Sequence, residues 1–288
     1  MTAQARLWDG LDPAEHERQY NPQVSVPDFK LCQVRREAPN AAARARLRCV
    51  PDIAYGPHPL HGVDVYPAAA PGAPVHVFFH GGYWRMQDKR NFAFVAAALV
   101  DAGICAVVAN YALCPAVTLD GVVDSAIRAT EWTRQHIADH GGDPARITLS
   151  GHSAGAHLAA AVLATDWTAR GHPADGVAGA VLLSGIYDPA PAALTSVDAD
   201  IRLTPDLIAR HDYERLPPRV RCPVWVVAGG LEPWHWIDQS FRYAHHLRRH
   251  GGDPGVVVSP GFHHFDIIDQ YMDPASDVMR AVRAVAGI

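Results

Sequence analysis

The chain has 288 residues, of which 49% are hydrophobic and 19% charged, and its formal net charge is −5. This composition is ordinary for a globular protein, and the length suffices for one large α/β domain or for two smaller ones. No basic field points to nucleic acid or an anionic membrane surface, no apolar run is as long as a membrane span, and the start lacks the basic and apolar regions of a signal peptide.

Residues 1–48 are polar, and we expect them to be helical in part and to cap the active site. From about residue 50, strand-like runs alternate with helix-like ones. The expected strands are 52–55, 61–66, 75–79, 104–109, 147–149, 177–183, 224–228 and 255–258. The expected helices are 91–102, 119–140, 154–165 and 238–250, and three of them end just before a glycine.

This alternation predicts an α/β fold with a mostly parallel central sheet of about eight strands and helices on both faces. The first two strands are separated by Gly56-Pro57-His58-Pro59, which indicates an antiparallel hairpin. Residues 188–219, rich in Pro, Ala and Asp, stand outside the alternation, and we interpret them as a second cap segment. Neither cap segment has enough apolar residues for a core of its own, so we expect 1–288 to form a single domain.

The most specific motif is Gly151-His152-Ser153-Ala154-Gly155, a G-x-S-x-G. It lies directly between a predicted strand and a predicted helix, which is the context that a nucleophile elbow requires. The tight turn leaves no room for bulky side chains two residues before and after the serine, and glycine removes that clash. The motif therefore predicts that Ser153 is a nucleophile at the start of a helix.

A second glycine motif, His80-Gly81-Gly82-Tyr83-Trp84, follows the predicted strand 75–79. A carbonyl under attack becomes an oxyanion and needs N–H donors already aimed at it, and a glycine loop after a strand can present them. We predict an oxyanion hole made by the backbone N–H groups of Gly82, Tyr83 and Ala154, with Gly81 as an alternative donor.

In this kind of hydrolase the chain order is serine, then acid, then histidine. Either His263 or His264, in the loop after the last predicted strand, could serve as the general base. Glu232 follows the preceding strand and is the favoured acid, which would hold the imidazole in its correct tautomer. Asp238 is a rival that we expect to cap the helix 238–250, and Asp188 is a weaker one.

The sequence predicts neither a metal site nor a cofactor. The chain has 17 histidines, but it contains no HExxH and no nucleotide or flavin motif. Five cysteines without a CxxC pair indicate reduced thiols, so we expect a cytoplasmic protein. The expected partner is a small-molecule substrate, with no nucleic acid and no membrane, and a homodimer is left open.

With these residues identified, the chain resembles the arylformamidase (kynurenine formamidase) branch of the hormone-sensitive-lipase-like α/β-hydrolases. The resemblance spans nearly the whole chain. It is carried by HGGYW at 80–84, GHSAGAHL at 151–158, SGIYD at 184–188, QS at 239–240 and HFD at 264–266, with Tyr20-Asn21-Pro22 and Ala54-Tyr55-Gly56 near the start. It favours His264 over His263 as the base, and counting back from Gln239-Ser240 puts Glu232 at the position of the family's catalytic aspartate.

The resemblance implies a serine hydrolase that cleaves N-formyl-L-kynurenine, or similar aryl formamides, to an arylamine and formate. Tyr83, Trp84, Trp234 and Trp236 could then form an aromatic wall for the aryl group, with His263 as a further pocket residue. The first alternative is a carboxylesterase for short acyl or aryl esters, which uses the same machinery. A second alternative is a non-catalytic binding protein on a hydrolase scaffold.

Overall fold

A computed structural model describes residues 8–288, so the first seven residues of the predicted cap segment 1–48 lie outside the described residues. Within the described range, one sheet contains eight strands. They are β1 (Val50–Ala54), β2 (Gly62–Tyr66), β3 (Ala73–Phe79), β4 (Cys105–Ala109), β5 (Gly142–His152), β6 (Gly179–Leu183), β7 (Val224–Gly229) and β8 (Gly255–Ser259).

The strand order is β1-β2-β4-β3-β5-β6-β7-β8. β1 pairs with β2 and β2 with β4 in antiparallel fashion, and every other neighbouring pair is parallel. The α/β fold with a mostly parallel eight-stranded sheet is therefore confirmed. Since the carboxyl ends of parallel strands meet at one edge, the loops after β3, β5, β7 and β8 converge there.

Helices cover both faces of the sheet. In the described chain they are α1 (Pro13–Tyr20), α2 (Pro22–Ser25), α3 (Lys30–Arg46), α4 (Ala93–Asp101), α5 (Leu119–His136), α6 (Ala154–Ala164), α7 (Asp198–Ile201), α8 (Pro205–His211), α9 (Trp234–Arg249) and α10 (Asp277–Ala286). Apolar residues of α5, α6 and α9 share one core cluster, and those of α4 and α10 share the other. Alternate residues of β3 enter opposite clusters, as the pleat of a strand requires.

Two helices differ from the sequence-based expectation. α9 begins at Trp234, directly after Pro233, so Asp238 lies in its second turn and does not cap it. The predicted start relied on a capping residue, whereas burial of Trp236 and Ile237 extends the helix toward its N-terminus. α10 was not predicted, although its buried residues recur at helical spacing.

The two predicted cap segments contact each other. The His16 ring of α1 donates its Nε2 proton to the Pro191 carbonyl at 2.8 Å, and Glu17 accepts hydrogen bonds from the backbone and hydroxyl of Ser196. α3 packs on α4, and residues of α2 and α3 line the same cavity as the loop after β3. The N-terminal segment therefore reaches the edge where the loops of the parallel strands converge.

Candidate active site

Ser153 occupies a strained turn between β5 and α6. Its φ is 57° and its ψ is −118°, a conformation that is rare for any residue other than glycine. A Cβ at Gly151 would overlap the carbonyl oxygen of Gly155, and a Cβ at Gly155 would overlap that of Phe79. Both glycines of the motif are thus required by main-chain contacts, and the turn places Ser153 at the N-terminus of α6.

The loop after β3 passes beside this serine. Gly82, Tyr83 and Trp84 all have positive φ values, of 122°, 53° and 59°. The backbone N–H groups of Gly82, Tyr83 and Ala154 have no hydrogen-bond acceptor within residues 8–288. The N–H group of Gly81 is equally unengaged, and a Cβ there would lie 3.3 Å from Ser153 Cβ. The loop therefore keeps donors available next to the serine, and Gly81 stays an alternative to Gly82.

The buried side chain of His80 holds this loop through a hydrogen bond. Its ring is stacked between Tyr111 and Phe92, with centroid distances of 4.4 and 5.6 Å, and its Nδ1 lies 2.7 Å from the Gly81 carbonyl oxygen. Because a carbonyl only accepts, the imidazole donates to Gly81. Tyr111 in turn donates its hydroxyl to the His80 carbonyl at 2.7 Å. The orientation of the glycine loop is thereby fixed by buried side chains.

The structure brings His264 and Glu232 together. His264 Nδ1 lies 2.7 Å from Glu232 Oε1, and both side chains are buried. Glu232 Oε2 accepts hydrogen bonds from the Gly229 N–H at 2.7 Å and from the Ser184 hydroxyl at 2.8 Å. A carboxylate that accepts the Nδ1 proton leaves Nε2 free to take a proton from a nucleophile.

The rival residues lie elsewhere. Asp238 forms an ion pair with Arg242, and Asp188 accepts a hydrogen bond from the Ala190 N–H at 2.8 Å. The His263 Nδ1 accepts from the backbone N–H groups of two following residues, so its ring is engaged by its own loop. Of the alternatives left open by the sequence, the pair that meets in space is His264 and Glu232.

Burial sets the ionisation of this pair. It lowers the pKa of His264, and the neighbouring His263 acts in the same direction, so the neutral imidazole is favoured. Burial raises the pKa of Glu232, while the hydrogen bonds from Gly229 and Ser184 oppose that rise. A neutral imidazole is the form that can accept a proton.

Sequence reasoning missed two residues that position the pair. Ser184, at the end of β6, donates to Glu232 and accepts the Trp236 indole N–H at its carbonyl, 3.0 Å away. His152 donates from Nε2 to the His264 carbonyl at 2.7 Å, and its ring lies 4.8 Å from the His264 ring. Ser184 begins the SGIYD motif and His152 belongs to GHSAG. Their positions at the ends of strands beside the site could have indicated this positioning role.

A cavity of about 430 Å³ opens above these residues. Ser153, His152 and His264 form its floor, and the loop Gly81–Gln87 forms one side. Residues of the N-terminal segment and Phe265 also line the cavity. Both Ser153 and His264 are thus accessible from one space, although no hydrogen bond joins their side chains.

Of the four residues expected to form an aromatic wall, only Tyr83 lines the cavity. Its hydroxyl donates to the Tyr20 carbonyl at 2.8 Å. Trp84 is fully buried, edge-on to the His157 ring, and Trp236 is buried behind His264. Trp234 is 78% exposed, because residues two apart on a helix point in nearly opposite directions. These three tryptophans and His263 lie outside the cavity lining.

Within residues 8–288, no three His, Cys, Asp or Glu side chains are placed to hold a metal ion. None of the helices in this range combines the length and the apolar character of a membrane span.

A family model described as the alpha/beta hydrolase fold matches residues 76–266, which include the glycine loop, Ser153 and His264. The chain belongs to the α/β-hydrolase family. Within this family it falls in the branch of the kynurenine formamidases: it is 30% identical to the kynurenine formamidase of Danio rerio over 279 residues, covering 92% of this chain and 94% of that protein.

Two further comparisons place this α/β-hydrolase among its relatives. A 115-residue stretch is 42% identical to the esterase LipQ of Mycobacterium tuberculosis, covering 38% of this chain and 27% of that protein. A crystal structure from Silicibacter sp. tm1040 superposes with a TM-score of 0.82 at 24% identity, covering 95% of this chain and 99% of that one. The solved structure supports the fold, and these sequence relatives are a kynurenine formamidase and an esterase.

Proposed function

We propose that this α/β-hydrolase is a serine hydrolase that cleaves aryl formamides, with N-formyl-L-kynurenine as the leading substrate. The observation that carries the proposal is the buried pair of His264 and Glu232, 2.7 Å apart, beside a strained Ser153 and unengaged backbone donors. The similarity to a kynurenine formamidase over 92% of the chain supports the formamide substrate.

In the proposed reaction, the Ser153 hydroxyl attacks the formyl carbon while His264 Nε2 takes the hydroxyl proton. The oxygen of the tetrahedral intermediate is held by the N–H groups of Gly82, Tyr83 and Ala154. The carbon–nitrogen bond then breaks, and His264 returns the proton to the departing arylamine. A water molecule, deprotonated by His264, attacks the formyl-serine and releases formate and free Ser153.

A carboxylesterase is the second candidate, supported by the 42% identity to LipQ over 115 residues. The same atoms would act on an ester, because both reactions begin with attack on a carbonyl carbon and pass through an oxyanion. In that case the departing atom is an oxygen.

The deciding experiment is a paired measurement of kcat/KM on N-formylkynurenine and p-nitrophenyl acetate, extended to aryl formate, acetate, butyrate and octanoate esters. We expect formamide turnover to exceed that of the long-chain esters. Tyr83 lies beside the glycine loop, so a longer acyl chain would crowd it at a cost of about 1–3 kcal/mol, or roughly 5- to 150-fold in rate. Rates that climb with acyl length, together with no formamide cleavage, would favour the esterase.

A further inference from the structure

One face of helix α3 forms part of the cavity wall. Phe29, Gln33, Arg36, Glu37 and Asn40 all line the cavity. Their spacing of 4, 7, 8 and 11 residues from Phe29 is that of a single helical face. Phe29 itself stands at the N-terminus of α3 with helical dihedral angles. The wall is therefore one regular surface whose chemistry can be followed along the helix.

The first turn of this wall is aromatic and lies next to the base. The Phe29 ring stacks on the Phe265 ring at a centroid distance of 4.8 Å and an interplanar angle of 26°. Phe265 follows His264 directly, and Arg36 donates a hydrogen bond to the Phe265 carbonyl. Because the base must hand its proton to the leaving group, that group has to sit close to His264, beside these two half-buried rings.

Farther along the wall, the cavity carries one unbalanced charge. Arg36 pairs with Asp269, and Arg85 pairs with Asp200 at 2.6 Å. Glu37 lines the cavity with no hydrogen bond or ion pair to any side chain of the described chain. It stands eight residues beyond Phe29, about 12 Å along the axis at 1.5 Å per residue.

Resting on the proposed function, we propose that this face of α3, together with Phe265, is the leaving-group subsite, and that it selects an aryl group bearing an ammonium. Phe29 and Phe265 contact the aromatic ring, and Glu37 attracts the positive charge toward the cavity mouth. The wall follows the same order as such a leaving group, which is aromatic at the scissile bond and cationic at the far end.

The charge is tested with two isosteric aryl acetates and the corresponding two formanilides. One member of each pair carries a para trimethylammoniomethyl group and the other a neutral 2,2-dimethylpropyl group. Wild type should prefer the cationic member by roughly 2- to 5-fold in kcat/KM, as fits a partly exposed ion pair, and added salt should reduce the preference. Glu37→Gln should abolish the preference and leave the neutral substrate unchanged.

Asp139→Asn is the matched control, because it removes an exposed carboxylate that does not line the cavity. It should keep the wild-type preference. Equal preference in wild type and Glu37→Gln would overturn the charged part of the subsite. Turnover of the esters alone would refute the formamidase proposal but would still test the subsite through the ester pair.

Equilibrium binding of the two parent phenols provides a readout that needs no turnover. The cationic phenol should bind wild type 2- to 5-fold more tightly than it binds Glu37→Gln, again the size of a partly exposed ion pair. Identical dissociation constants for the two proteins would reject the assignment even if no substrate were cleaved.

The aromatic part is tested by Phe29→Leu, with Phe241→Leu as the control on an exposed ring of α9. We expect Phe29→Leu to raise KM for phenyl acetate by roughly 2- to 10-fold, to change kcat little, and to leave kcat/KM for methyl acetate unchanged. An equal loss on both esters would mean that Phe29 merely holds the loop of the base, and the aryl assignment would fail.

Discussion

The floor and the outer wall of the cavity are held by different kinds of contact. The floor is fixed by the main chain: two glycines bring β5, α6 and the end of β3 into backbone contact, and Glu232 is held by the Gly229 N–H. The wall formed by α3 is attached through side chains, among them the ring of Phe29, the guanidinium of Arg36 and the amide of Asn40. This contrast suggests that the chemistry is fixed by the sheet, while leaving-group preference can change independently.

The largest effect should follow the loss of the floor's nucleophile. Ser153→Ala should lower kcat by at least about 10⁴-fold, because the hydroxyl forms the covalent intermediate, while the fold survives the loss of one oxygen. Turnover of the substrate preferred by wild type and the thermal midpoint by circular dichroism would be measured together. Activity close to that of wild type would show that Ser153 is not the nucleophile.

Substitution of the two adjacent histidines compares a residue of the cavity floor, His264, with a neighbour outside the cavity lining, His263. His264→Ala should reduce kcat by about 10³-fold or more, since His264 takes the serine proton in the proposed reaction. His263→Ala, which removes a half-exposed ring bonded to its own loop, should cost less than about 10-fold. The reverse order would shift the base by one residue.

A third pair of variants concerns the acid. Glu232→Gln should lower kcat by roughly 10²- to 10⁴-fold, because the charge behind the imidazole and the correct tautomer are lost together. Asp238→Asn, which weakens the ion pair to Arg242 on α9, should have little effect on kcat. If the Asp238 variant were the crippled one, the triad would have to be redrawn.

Among the substitutions that affect the cavity floor, Ser184→Ala should lower kcat the least. Removing one hydrogen bond to a buried carboxylate costs about 1.5–3 kcal/mol, so we expect kcat to fall by roughly 10- to 150-fold with little change in KM. The pH profile of kcat should shift as well, since Ser184 stabilises the ionised acid.

Ser240→Ala is the control for this substitution, because the Ser240 hydroxyl is buried and has no hydrogen-bond partner in the described structure. It should leave both kcat and the pH profile unchanged. Equal losses in the two variants would assign Ser184 a packing role only.

The sheet and the family could be predicted from the sequence, because their signals are local. Unbroken apolar runs marked the buried strands, and the G-x-S-x-G pattern is recognisable within five residues, although its second glycine meets the distant Phe79 carbonyl. The cavity wall could not be predicted in this way. It depends on which face of α3 meets the loop of the base, and on a stacking contact between Phe29 and Phe265, which are 236 positions apart. The prediction that tryptophans line the cavity was wrong for the same reason. The local sequence does not indicate whether an indole side chain points into the cavity or away from it.

For protein engineering, the contact between Gly155 and the Phe79 carbonyl divides the positions around the cavity into two kinds. At 151 and 155, every side chain larger than hydrogen must displace backbone, so a mutant library there would consist mainly of misfolded members. At 29, 33 and 37 the side chains are half-buried or exposed, and a library would consist mainly of folded enzymes that differ in the amine or alcohol they release. New substrates should therefore be selected from the helix and not from the elbow.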